Sequence, residues 1–194
     1  MICLIFVKVM EGSNLKIHSG FLILIFCLFY ICSALPQESY REIKMELKSS
    51  AFKNNKMLPK KYTCDGAGVS PPLSWNGIPK VAKSLALISD DPDAPGGTWV
   101  HWLMYNIPPS TRGLGEGVLP VEEFAHSAKQ GLNDFQNIGY GAPCPPDGIH
   151  RYFFKLYALD ITLNLESKAT KDQLLKAMEE HILAQAELIG KYKR

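Results

Sequence analysis

Three short stretches of the chain gather side chains able to move protons or hold an anion. The first is Asp90-Asp91-Pro92-Asp93-Ala94-Pro95, the second Trp99-Val100-His101-Trp102-Leu103-Met104-Tyr105, and the third His150-Arg151-Tyr152-Phe153-Phe154. Imidazoles and carboxylates exchange protons or accept hydrogen bonds, and a phenol can donate a hydrogen to an oxyanion. Prolines at 92 and 95 favour an extended backbone, which points Asp91 and Asp93 the same way. Period two in the second stretch places Trp99, His101, Leu103 and Tyr105 on one strand face, and in the third it pairs His150 with Tyr152. Each residue also has an ordinary explanation. Aspartates between prolines form turns, a histidine on an aromatic strand face can be a satisfied core residue, and Tyr152 can be core or rim. Spacing along the chain does not by itself bring the three stretches together.

The same side chains could serve an enzyme, since an Asp–His pair can activate a serine. No G-x-S-x-G turn is present, and the serines nearest the three stretches, Ser89 and Ser127, have no supporting context. Neither an H-E-x-x-H sequence nor a closed Cys/His set marks zinc, though two histidines and two aspartates could take up a divalent ion opportunistically. A phosphate-cradling P-loop is also missing from the sequence. The expectation is a binding or inhibitory module with no catalytic residues, no metal and no cofactor. The alternative is a hydrolase using the same Asp/His/Tyr set.

The elements that must position these residues read as mainly β. Twelve of the 13 prolines and twelve of the 15 glycines fall between Pro59 and Gly148, a density that interrupts long helices and suits short strands with tight turns. Strands are expected at Lys44–Phe52, Ser84–Ser89, Trp99–Ile107 and Arg151–Leu159, with weaker ones near Leu73–Trp75 and Gln130–Asp134. Their alternation with loops predicts antiparallel sheets packed as a sandwich or barrel. One helix is expected from Thr170, where Thr170 and Gln173 form a capping-box pattern. Leu174, Leu175, Met178, Ile182, Leu183, Ala186 and Ile189 continue it at helical spacing to Gly190 as the terminating residue, with the apolar stripe packed on the protein's own sheet.

Residues Phe21–Cys32 form a run without a charge or a helix breaker, the length of a signal-peptide core and short of a membrane span. With Lys16 and His18 upstream and Ser33-Ala34 downstream, residues 1–34 are expected to be a signal peptide cleaved after Ala34, from a start at Met1 or Met10. An uncleaved anchor is the alternative. Residues 35–44 then form a flexible segment and 45–194 the domain, secreted or periplasmic. Cleavage leaves Cys64 and Cys144, an even pair that export would bridge, against the alternative of two buried free thiols. Hydrophobic residues make up 46% and charged residues 21%, which excludes disorder and multi-span membrane architecture. A net charge of +2 without a basic block excludes a nucleic-acid binder.

DDPDAP, then WVHW, then GAPCPPDGIHRYFF, with SPPLSW at Ser70–Trp75, resemble the phosphatidylethanolamine-binding protein family, the relatives of Raf kinase inhibitor protein. Tyr62-Thr63-Cys64-Asp65-Gly66 and Pro143-Cys144-Pro145-Pro146 resemble its bacterial-type branch. The resemblance runs from about Met45 to the C-terminus. It implies an antiparallel β-sandwich with a C-terminal α-helix and a small pocket for phosphate or phospholipid headgroups. It implies that Asp91, Asp93, His101, His150 and Tyr152 line this pocket, with Pro92, Trp99 and the backbone of Gly141, Ala142 and Pro143 as walls. The family usually has glycine where this chain has Ala142, so a left-handed φ there would strain the loop. Two aspartates repel a phosphate, so each is expected to orient one imidazole and leave the other ring N–H aimed at the anion. A protein partner, a kinase or protease, is implied by the family alone, and the chain is expected to be a monomer or homodimer.

Overall fold

The computed structural model describes residues 44–124 and 127–194. The expected signal peptide and nearly all of the 35–44 segment lie outside the described residues. Nine strands and a helix follow in chain order: β1 Glu46–Lys48, β2 Lys56–Met57, β3 Leu73–Asn76, β4 Ser84–Asp91, β5 Trp99–Ile107, β6 Gly113–Leu114, β7 Lys129–Gln130, β8 His150–Leu159, α1 Lys171–Met178 and β9 Ile182–Tyr192. They form a three-stranded sheet, β1-β3-β6, and a six-stranded sheet, β2-β9-β8-β4-β5-β7. All strand pairings among these elements are antiparallel except β2 with β9. Among the described residues no helix is long and apolar enough to cross a membrane.

β4 is buried along its whole length because both faces of the large sheet are covered. On one face Leu85, Leu87, Trp102, Met104, Phe154 and Leu156 share a core with Leu47, Leu73 and Trp75 of the small sheet. On the other, Ala86, Ile88, Val100, Leu103 and Tyr105 meet Leu174 and Met178 of α1 and Leu163 and Ala169 from the loop before it.

The helix begins as expected. Thr170 Oγ1 accepts the Gln173 backbone N–H, and Gln173 Oε1 accepts that of Thr170. The C-terminal helix does not extend further, which corrects the sequence reading: α1 stops at Met178, Glu180 takes φ 64°, and residues 182–192 form a strand. Alanine, glutamine and leucine give this segment helical local preference. The open edge of β8 decides instead, taking up β9 from His150↔Tyr192 to Leu159↔Ile182. Leu188, Gly190 and Tyr192 are buried at period two. Gly190 is no helix terminator, since a Cβ there would come within 2.6 Å of the Leu58 side chain.

β5 departs from simple alternation. Its register with β4 passes from Ser89↔Trp102 to Asp90↔Val100, so His101 is the extra residue of a β-bulge. The expected shared face of Trp99, His101, Leu103 and Tyr105 therefore fails: Leu103 and Tyr105 bury towards α1, and Trp99 is 37% exposed.

Candidate functional site

Asp91 ends β4 and His150 begins β8, so sheet pairing alone carries them to one end of the large sheet. Asp91 Oδ2 accepts the Nδ1–H of His150 at 2.7 Å, and both side chains are buried. Asp91 Oδ1 accepts the Asp93 backbone N–H at 2.8 Å, closing a turn rather than continuing the strand. That turn corrects the expected alignment of Asp91 with Asp93. Asp93 is gripped by Arg151, whose backbone N–H, Nε and Nη2 donate to it at 2.9, 2.8 and 2.6 Å. The guanidinium holds the Asp93 carboxyl below the usual carboxylate range. Asp93 borders a neighbouring depression with Asp147, Arg151 and Lys191, to which His150 also contributes.

The bulge turns His101 towards the loop that precedes Cys144. Its Nδ1–H donates to the Gly141 carbonyl at 2.7 Å, and its own carbonyl accepts the Gly141 N–H at 2.7 Å. Burial pushes the His101 imidazole below 6.5, opposed by the Gly141 hydrogen bond and the charges of Asp91, Asp134 and Asp90. Tyr152, two residues along β8 from His150, sets its ring edge-on to His101 at 5.2 Å. Burial first, then the Asp91 carboxylate, keeps the Tyr152 phenol protonated.

Asp91, Trp99, His101, His150 and Tyr152 thus line one cavity of about 430 Å³. Its wall also includes the turn Ala94–Thr98 together with Cys144, Pro145 and Pro146. Pro92, Gly141, Ala142 and Pro143 do not line it. Gly141 stands behind His101, and the Pro143 carbonyl accepts the Cys64 N–H at 3.0 Å. Ala142 is half-buried and is not among the residues with left-handed φ, so the anticipated strain is not present. The position that demands glycine is 141, where a Cβ would fall 2.6 Å from the Phe135 ring.

Asp134 and Phe135 also line the cavity and were not anticipated. Asp134 Oδ2 accepts the Val100 N–H at 2.7 Å, and the Phe135 ring stands edge-on to Trp99 at 5.3 Å and to His101 at 5.5 Å. This corrects the strand expected near Gln130–Asp134: β7 ends at Gln130, and Asp134 and Phe135 sit in the turn that follows. Cys64 and Cys144 form a disulfide across 80 residues of chain, with Cα atoms 5.4 Å apart. It ties the cavity wall at Cys144 to the loop after Tyr62. Among the described residues, no three His, Cys, Asp or Glu side chains group as metal ligands.

These features define a mainly β protein with one helix and, at one end of its large sheet, a cavity where two imidazoles, two carboxylates and a phenol meet aromatic and proline walls. The chain belongs to the phosphatidylethanolamine-binding protein family, whose model matches residues 48–193. It is 54% identical to the UPF0098 protein of Methanothermobacter thermautotrophicus, over 77% of this chain and 99% of that one. The UPF0098 protein of Chlamydia muridarum is 52% identical, again over 77% and 99%. The crystal structure of a homolog of phosphatidylethanolamine-binding protein from Chlamydia trachomatis superposes with a TM-score of 0.73 at 49% identity, covering 78% of this chain and 98% of that one. E. coli YbcL, described as a new member of the mammalian family, gives 0.71 at 31% identity, covering 78% and 99%.

Proposed function

We propose that the chain is an exported, non-enzymatic binding protein that receives phosphate, or the phosphate of a phospholipid headgroup, in the cavity between Asp91, His101, His150 and Tyr152. The observation that carries this reading is the convergence of two imidazoles and a phenol from β5 and β8 on a cavity of about 430 Å³. A cavity of that size suits a small ligand, and its few polar groups can fix orientation. The family resemblance supplies the anion, and the Asp91–His150 pair supplies one oriented ring. An antiparallel sandwich frame, with the small sheet packed on the large one, is the scaffold this reading gives the cavity. Modulation of a protein partner, a kinase or a protease, is part of the same proposal. Export rests on the uncharged Phe21–Cys32 run, and mass spectrometry of secreted protein should find an N-terminus near Leu35.

Calorimetric titration with inorganic phosphate and phosphoethanolamine tests the cavity. The expected result is saturable binding that is lost when His101 and His150 are both replaced by alanine. Unchanged binding in that variant overturns the site. Incubation with phosphoesters and peptides should show no turnover, and steady turnover would favour the hydrolase.

A further inference from the structure

Each of the two imidazoles has already spent the hydrogen that a bound anion would need. A neutral imidazole carries one N–H. On His101, Nδ1 faces the carbonyl of Gly141 at 2.7 Å, and a carbonyl can only accept. On His150, Nδ1 faces the Asp91 carboxylate at 2.7 Å, which when ionised can also only accept. Both hydrogens therefore reside on Nδ1, and both Nε2 atoms present lone pairs. Among the described residues neither Nε2 has a protein partner. Among the described residues Ser89 Oγ is the one fully buried side-chain nitrogen or oxygen left without a hydrogen bond. Both Nε2 atoms accordingly remain in touch with the cavity that the rings line.

The charged groups around the rings do not rescue this. From β4 comes Asp91, with Asp90 beyond it held by Lys155 and Lys171, and from the loop before β8 comes Asp134. On β8, Arg151 is committed to Asp93, and on β9 the Tyr192 hydroxyl donates to Asp65 at 2.6 Å. Asp147 and Lys191 border the adjoining depression on the far side of His150. Besides Tyr152, whose hydroxyl is drawn to Asp91, the side-chain donors lining the cavity are Thr98 and Trp99, against lone pairs and two carboxylates. The expectation that each pinned imidazole offers its other ring N–H to an anion therefore fails for the neutral rings.

Resting on the anion reading above, we propose that the cavity accepts an oxyanion only together with one proton. Its ligands are then oxyanions that carry an acidic hydrogen, with hydrogen phosphate and phosphate monoesters ahead of phosphodiesters. The proton sits between an Nε2 and a ligand oxygen, as an imidazolium N–H or a ligand O–H. Either placement turns a repulsive lone-pair contact into a charge-assisted hydrogen bond. A monoester, whose second ionisation lies near pH ~6, brings that hydrogen itself. A diester has none and must draw one from water onto a ring. Burial of His101 disfavours its protonation in the empty cavity, so the proton arrives with the ligand.

Calorimetry on the purified protein decides this. Inorganic phosphate, phosphoethanolamine and glycerophosphoethanolamine are titrated at pH 6, 7 and 8, each in two buffers of different ionisation enthalpy. The expected result at pH 8 is uptake of close to one proton per ligand. Affinity should fall by roughly tenfold per pH unit above pH 7, and the monoester should bind more tightly than the diester at pH 7. Equal affinities at pH 6 and 8 without proton uptake, or a diester that matches the monoester, overturn the proposal. Absence of binding by all three probes at every pH overturns the anion reading itself, and this inference with it. Nitrogen-15 NMR of the free protein at pH 8 gives an independent check. Both rings should be protonated at Nδ1, and an Nε2–H form of either ring overturns the proposal without reference to any ligand.

Discussion

His101 and Gly141 hold each other by two hydrogen bonds: the Gly141 N–H donates to the His101 carbonyl, and the His101 Nδ1–H donates to the Gly141 carbonyl, both at 2.7 Å. One bond fixes the backbone of the loop and the other fixes the ring tautomer. The pair thereby fastens the loop before Cys144 to the β5 bulge that faces the cavity.

The first prediction follows from that pair. Gly141→Ala drives a methyl group to 2.6 Å from the Phe135 ring, so the ring must leave its place against Trp99 and His101. Overpacking of this kind costs about 1–3 kcal/mol, and thermal melting should show the loss together with altered Trp99 fluorescence. Ala142→Gly, one residue on, should cost about 1 kcal/mol or less, because it adds only chain entropy.

The second concerns the buried carboxylate behind the site. Asp90 accepts from Lys155 at 2.9 and 3.1 Å and from Lys171 at 2.6 Å, with its side chain 1% exposed. Lys171 opens α1, so this pair also fastens the helix to β4. Asp90→Ala strands two ammonium groups and should cost about 3–5 kcal/mol in urea unfolding. Lys171→Met leaves Lys155 in place and should cost about 1.5–3 kcal/mol.

The third uses the direction of the His101 shift. Its folded value lies below the 6.5 of an unperturbed imidazole, so the unfolded chain binds more protons than the folded one in that window. Stability should therefore be complete above pH 6.5 and decline as the pH falls below it. Urea midpoints in a phosphate-free buffer from pH 7 to pH 5 measure this, and His101→Gln should flatten the slope. Added phosphate should offset the decline, since bound anion favours the protonated ring.

The fourth concerns the Cys64–Cys144 bridge, which closes a loop 80 residues apart in sequence. In the chain-entropy model a loop of this length contributes about 4–5 kcal/mol. Cys64→Ser should lower the unfolding free energy by an amount of that order and weaken phosphate binding, because the wall at Cys144 loses its tether. A non-reduced digest should contain one peptide pair joined through these two residues.

Much of the frame was legible in the residues. Trp99–Ile107 reads as a strand because aromatic and β-branched residues fill the gap between breakers, and the structure has the same bounds. His150 and Tyr152 share a face because β8 alternates from His150 to Ala158. What escaped was decided by partners distant in sequence. A bulge leaves no mark in composition, so the rotation of His101 away from Leu103 appears only in the register with β4. Asp93 looked like a second pocket carboxylate until Arg151, 58 residues away, proved to be its partner. The segment Ile182–Tyr192 has helical composition, and the unfilled edge of β8 overrides it.

Sheet order has a consequence for when the protein can fold. β9, the last of these strands in chain order, lies between β2 and β8 rather than at the rim. A ribosome-bound chain that has not yet released β9 therefore holds β8 with one edge unpaired and β2 with no strand beside it. An exposed edge of this kind invites pairing with other chains. The small sheet, complete by Leu114, can form early. The large sheet, and with it the end of β8 that carries His150 opposite Tyr192, closes only once β9 has been made. Assembly of the large sheet thus does not follow chain order, since β9 joins β2 to β8 after both have been made, and a stop codon placed before Ile182 would detach β2 and leave β8 as the edge.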